Sequence, residues 1–100
     1  MKHELTADKD QVRIAIEGEV DMHVASELRD VLAKASSSKP ALLLVDLAQV
    51  PFIDSSGIAT IVQALKNVRK FSGKLVVRNC QEAVRDTFEI AGLTEILGIL

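Results

Sequence analysis

Between residues 12 and 17 the chain alternates: Val12, Ile14 and Ile16 are apolar, while Arg13, Ala15 and Glu17 fall between them. That is the period of a strand with one buried face. The preceding "ADKDQ" supplies turn residues, so a short strand over His3 to Thr6 is predicted to pair antiparallel with it. From Asp21 the period changes. Val24, Leu28, Val31, Leu32 and Ala35 recur at helical spacing, with Glu27, Arg29, Asp30 and Lys34 opposite. Asp21 reads as the helix start and "SSSKP" as its end. The run "ALLLVDL", residues 41 to 47, reads as a strand covered on both faces or central in a sheet. In the next helix Ile58, Ile61, Val62, Leu65 and Val68 line one face, Arg69 and Lys70 gather where the dipole favours cations, and Gly73 ends it. "KLVVR" is a further strand, and Val84, Phe88 and Ala91 mark a helix stopping at Gly92. The apolar tail "LTEILGIL" packs onto the sheet as a last turn or short strand.

The order strand, strand, helix, strand, helix, strand, helix predicts an α/β fold. Strands separated by helices pair in parallel through crossovers, and the opening hairpin makes the sheet mixed. The expectation is one domain over residues 1 to 100: a mixed, mostly parallel sheet of four to five strands with amphipathic helices packed on it. No internal repeat, low-complexity segment or linker interrupts it.

Composition narrows the function. Hydrophobic residues make up 48% of the 100 positions but aromatics only 3%, so the core must be aliphatic. Twelve cations against 14 anions give a net charge of −2 with no basic block. That argues against a nucleic-acid surface, which needs clustered Lys/Arg and stacking aromatics. A single cysteine, Cys80, excludes an internal disulfide and a Cys-rich metal site, in keeping with a reducing compartment. The start "MKHELTADKDQ" lacks the apolar segment of a signal peptide, and no apolar run approaches the roughly 20 residues that span a bilayer. A soluble cytoplasmic protein with no membrane association is expected.

Catalytic readings fail on spacing. His3 and His23 stand far apart and outside any zinc-binding pattern. "IDSSGIA" is not a nucleophile elbow, and Asp54, adjacent to the serine, is badly placed to orient a distant imidazole. "DSSGIAT" has one glycine and no lysine, too little for a nucleotide loop. Cys80 follows a strand and could open a helix as a thiolate. For a lone Cys a half-buried small side chain is by far the better reading, and no role follows.

What remains is "VPFIDSSGIATIVQAL", residues 50 to 65, where a buried strand turns into a helix. Asp54 or Ser55 stands where an N-cap belongs, worth about 1 kcal/mol. Capping does not explain a second serine followed by Gly57 in the first turn, where Gly costs up to about 1 kcal/mol against Ala. One reading is a plain cap. The other is a serine displayed as a chemical target, with Gly57 bare so that another body can approach. A helix start also suits an anion, since its free N–H groups and positive dipole end would receive a phosphate on Ser55.

The segment "VDLAQVPFIDSSGIATIVQAL" resembles the centre of STAS domains, specifically those of anti-sigma factor antagonists. "IEGEVDMHVASELRDVL" is similar to that family's Gly-Glu-Leu-Asp turn and first helix, with Val20 in place of Leu. "GKLVVRNCQEAVRDTFEIAGLTEIL" resembles its last strand and helix, so the likeness spans essentially the whole chain. The resemblance implies a partner-switching protein and not an enzyme. Unmodified, such a protein binds an anti-sigma factor that is also a serine kinase, which frees the sigma factor. Phosphorylation ends the tight complex, and a metal-dependent serine phosphatase restores it. Carried onto this chain, the phosphoacceptor is Ser55, and the partner-binding residues are Glu19, Asp21, His23, Asp54, Ser55, Ser56 and Gly57. No cofactor is implied, since ATP and metal belong to the partners.

In this reading Asp54 caps and orients, Ser55 is the target, and Ser56 bonds within the turn. Gly57→Leu is expected to weaken partner binding by bulk without lowering the thermal midpoint. A competing reading is a STAS interaction module in another signalling or transporter-associated assembly, without sigma-factor control. A monomer is expected because no exposed apolar stripe stands out. Neither the sigma factor nor the upstream signal is legible.

Overall fold

The structure, a computed structural model, describes residues 1–99. Strands β1 (Lys2–Asp8) and β2 (Gln11–Glu17) form the opening hairpin. Helix α1 (Ala25–Ala35), β3 (Leu42–Gln49), α2 (Ser55–Lys70), β4 (Lys74–Arg78) and α3 (Glu82–Ile90) follow. The four strands lie in the order β1-β2-β3-β4. The hairpin is antiparallel, and β2–β3 and β3–β4 are parallel neighbours, each joined through a helix. This is the expected α/β architecture with a four-stranded mixed sheet.

The strand period sets the core. Val12 aligns with Leu43 and Ile14 with Val45, and these continue to Leu75 and Val77. All six belong to one face and are buried, together with Leu28 and Leu32 of α1, Ile61, Leu65 and Val68 of α2, and Val84 and Phe88 of α3. Each such side chain contributes roughly 1.5–3 kcal/mol on burial. Phe88 apart, this buried cluster is aliphatic, as the composition requires.

The opposite face carries Arg13, Leu44 and Val76 in one row and Ala15, Asp46 and Arg78 in the next. Asp46, in the middle of the apolar run, is buried with its side chain only 5% exposed and is paired with Arg13. Its Oδ1 accepts the Ala48 N–H at 2.9 Å. Burial alone would raise this carboxyl. The bonds from Ala48, Arg13 and Asn79, and the Arg13 charge, outweigh burial and hold it below the usual carboxylate range.

Several boundaries differ from the pattern. Helix α1 starts at Ala25, a turn later than Asp21, and its N-cap Val24 makes no side-chain cap. Asp21 instead closes a turn of its own, its Oδ1 accepting the His23 N–H at 2.9 Å and its carbonyl the Val24 N–H at 3.2 Å. At the end of α2 the left-handed residue is Ser72 (φ 66), not Gly73. Gly73 is needed for clearance, since a Cβ there would lie 2.7 Å from the Pro40 carbonyl oxygen. Ala91 is exposed just beyond the end of α3, while the buried face of α2 takes in Gly57 and Ala64. Up to residue 99 the tail folds as turns and not as a strand; Leu100 lies outside the described residues. Leu97 is fully buried and its carbonyl accepts the Val77 N–H at 2.8 Å, so the tail closes the outer edge of β4.

Candidate functional site

The site lies where the segments following β2 and β3 continue side by side. Pairing shifts register between Ala15 and Glu17, yet the two chains stay bonded beyond it. Gly18 donates to the Gln49 carbonyl at 3.0 Å and Val20 to that of Phe52 at 2.9 Å, and Asp54 donates back to Val20 at 3.0 Å. Val20 and Ile53 form a parallel bridge and are both buried. Two loops that would otherwise move independently therefore form one frame.

Asp54 completes it. Extended at φ −105 and ψ −176, it is the N-cap of α2, and its Oδ1 accepts the N–H groups of Ser56 (2.9 Å) and Gly57 (3.1 Å). Its Oδ2 accepts the Met22 N–H at 3.1 Å from the neighbouring loop. One carboxylate thus starts the helix and fastens the turn containing Asp21, Met22 and His23 to it. The cap expected of Asp54 is present in the bonds to Ser56 and Gly57. Ser56 does bond within the turn, but through its main-chain N–H.

Ser55, the first residue of α2, is exposed. Of the other candidates on the two tied segments, Glu19 and His23 are exposed, and Asp21, Asp54 and Ser56 partly so. His23 enters the frame through its main-chain N–H to Asp21. The structure gathers these residues at one end of the sheet. Glu19, Asp21 and Asp54 are the acidic residues of these two segments.

Two expectations need correction. Gly57 is buried, and a Cβ on it would lie 2.6 Å from Val20 Cγ1 and 2.7 Å from Ile53 Cγ1. The body that approaches it is the chain's own bridge. Gly57 supports the site from beneath and presents no surface, and the expectation that bulk there would spare the thermal midpoint falls with it. Nor are the N–H groups of Ser56 and Gly57 free to receive a phosphate, because Asp54 already holds both. A phosphate on Ser55 would stand next to the Asp54 carboxylate without the use of those two groups.

The sequence reading also passed over Met22, 69% exposed, and Phe52, 48% exposed. Both sit on the tied loops flanking Ser55. The signals were present: Phe52 follows Pro51, which cannot extend a ladder, and Met22 interrupts a polar turn. With Leu5, Ile90 and Ile96, they show that large apolar side chains do reach the surface.

Cys80 lies outside this site. It is half-buried; burial pushes its thiol up and Asp46 adds to this, against the opposing charge of Arg85. That disfavours a thiolate. Among the described residues no group of three or more His, Cys, Asp or Glu could hold a metal ion. No helix among them is long and apolar enough to cross a membrane.

Comparisons with known proteins converge on one family. The model for the STAS domain matches residues 4–99. The chain is 30% identical over 92 residues to the anti-sigma-B factor antagonist of Listeria monocytogenes, covering 92% of this chain and 81% of that protein. It is 32% identical over 92 residues to the anti-sigma-B factor antagonist of Bacillus subtilis, covering 92% and 84%. Among solved structures, the anti-sigma factor antagonist SpoIIAA in its unphosphorylated form superposes with a TM-score of 0.82 at 22% identity, over 95% of this chain and 84% of that one. The Bacillus protein SpoIIAA in its phosphorylated form superposes at 0.73 and 21% identity, over 95% and 87%. At such identities the likeness establishes the fold.

Proposed function

The chain belongs to the STAS domain family, and from that premise we propose that it is an anti-sigma factor antagonist acting by partner switching in the cytoplasm. Unmodified, it binds an anti-sigma factor serine kinase and so frees the sigma factor. Phosphorylation of Ser55 ends the complex, and a metal-dependent serine phosphatase restores it. The protein is a substrate and regulator in this scheme and performs no catalysis itself. The names of the curated relatives support the role. The observation that carries the mechanism is the exposure of Ser55 at the start of a helix already capped by its neighbour.

Because Asp54 satisfies the first-turn N–H groups, α2 does not depend on the Ser55 hydroxyl for its cap. A phosphate adds about −1.5 to −2 charges at neutral pH. Placed beside Asp54, with Glu19 and Asp21 close by, it changes the field presented to a partner and leaves the fold intact. A kinase that has just acted on Ser55 holds nucleotide phosphates near it, and like-charge juxtaposition at an interface costs several kcal/mol. Each 1.4 kcal/mol is about tenfold in affinity, so a loss of a hundredfold or more follows. Met22 and Phe52 supply the apolar anchors that an acidic patch alone lacks.

The test is intact-mass measurement after incubation with ATP and serine kinases of the histidine-kinase-like ATPase fold encoded nearby, with fragmentation to locate the modification. A single phosphate on Ser55 accompanied by loss of the complex is the expected result. A stable complex without phosphate transfer would show a docking module whose serines only begin a helix.

A further inference from the structure

We propose that the free edge of β1 is a self-association site, at which two copies pair antiparallel, β1 against β1, centred on Leu5. Among the described residues strand β1 ends the sheet, bonded to β2 on one side only. All seven of its residues, Lys2–Asp8, are exposed. In an antiparallel ladder alternate residues turn their N–H and C=O groups to one neighbour, and the others turn them outward. An edge strand therefore offers a row of unused donors and acceptors to any extended chain.

The side chains select which chain that is. A two-fold axis through Leu5 sets Lys2 opposite Asp8, His3 opposite Ala7, Glu4 opposite Thr6, and Leu5 opposite its own copy. Cations meet anions, and no like charges face each other. Shifting the centre to Glu4 sets Glu4 against Glu4, and shifting it to Thr6 sets Glu4 against Asp8. Directly opposed like charges destabilise a pair of strands. Only the Leu5-centred register uses the full strand and satisfies its charges. Charged edges ordinarily repel foreign strands, and here the same charges are complementary to a second copy of this chain.

Leu5 adds the apolar contact. It lies opposite Ile14 in the hairpin, on the face that forms the core, and is 38% exposed at the rim. Pairing would continue that face from one protomer to the next in an eight-stranded sheet. The target serine lies beyond β3, two strands in from this edge, so it stays available in both copies. A seven-residue edge is a small interface, which places the association in the micromolar-to-millimolar range. The monomer expected from sequence is then the dilute form.

Sedimentation equilibrium of the full chain over that range tests the assignment. A concentration-dependent dimer is expected. Asp8→Lys and Lys2→Asp should each weaken it about tenfold or more, because the two-fold axis makes every substitution act at two pairs. Mixing the two single variants should recover a heterodimer, since each then offers the charge the other lacks. Thermal midpoints of both variants report whether the hairpin has survived. A monomer throughout the range, or no recovery on mixing two folded variants, overturns the proposal.

Discussion

A Cβ on Gly57 would lie 2.6 Å from Cγ1 of Val20, closer than real Cβ contacts come. Ile53 Cγ1 stands at 2.7 Å on the other side, and both residues are buried in the bridge that joins the two loops. Neither is a flexible chain end that can swing away. Overpacking of this kind costs about 1–3 kcal/mol, against which the better helix propensity of Ala returns up to about 1 kcal/mol. Gly57→Ala is therefore expected to lower the thermal midpoint by several degrees and Gly57→Leu by more. Calorimetry checks this, and an unchanged midpoint for Gly57→Leu would sink the account.

The three bonds of Asp54 separate its two tasks. Asn in its place keeps one oxygen for the Ser56 and Gly57 N–H groups but offers an NH₂ to Met22. Asp54→Asn should therefore cost well under Asp54→Ala, which loses the cap and about 1–2 kcal/mol. Amide hydrogen exchange should show selective loss of protection at Met22 in the Asn variant, with Ser56 and Gly57 still protected. Equal loss at all three amides would mean that the carboxylate acts as one indivisible cap.

Ser55 is exposed at the first position of α2, so Ser55→Ala should change stability by less than about 0.5 kcal/mol. On the proposed mechanism the Ala variant holds the anti-sigma factor permanently. Ser55→Asp, with one charge where phosphate has nearly two, releases it in part. Titration calorimetry against the kinase should rank affinity as unmodified and Ala above Asp, with the phosphorylated form weakest. An Asp variant binding as tightly as the unmodified protein would remove the electrostatic basis of the switch.

Periodicity carried the fold because the sheet's inner face is strictly alternating and its helices are amphipathic. Strand β4 was read to the residue for this reason. What it could not convey was tertiary proximity. Gly57 read as a bare surface because nothing in the sequence says that Val20 and Ile53 meet beneath it. Asp21 read as a helix cap because an aspartate before an apolar period has the same signature whether it caps or closes a separate turn. Asp46 hid in an apolar run, since its partner Arg13 is supplied by the neighbouring strand. The Asp54 cap was legible because capping is local, whereas the reach of Asp54 to Met22 depends on the loops being zipped together.

The Arg13–Asp46 pair gives the protein a specific acid sensitivity. The folded-state pKa of Asp46 lies below its unfolded value, so the group stabilises the fold fully only above the unfolded pKa of about 4. As pH falls below that value the unfolded chain binds the proton first, and the contribution drains away until the folded carboxyl also protonates. Asp46→Asn removes this one titration while preserving volume. Because Asp46 is buried and accepts bonds from Ala48 and Arg13, the substitution should cost about 1.5–3 kcal/mol at neutral pH. The difference from the unsubstituted protein should shrink as pH drops below 4. Urea unfolding at neutral pH and in the acid range measures both quantities. A cost that stays constant with pH would show that the hydrogen bonds survive protonation and that the charge of Asp46 contributes nothing.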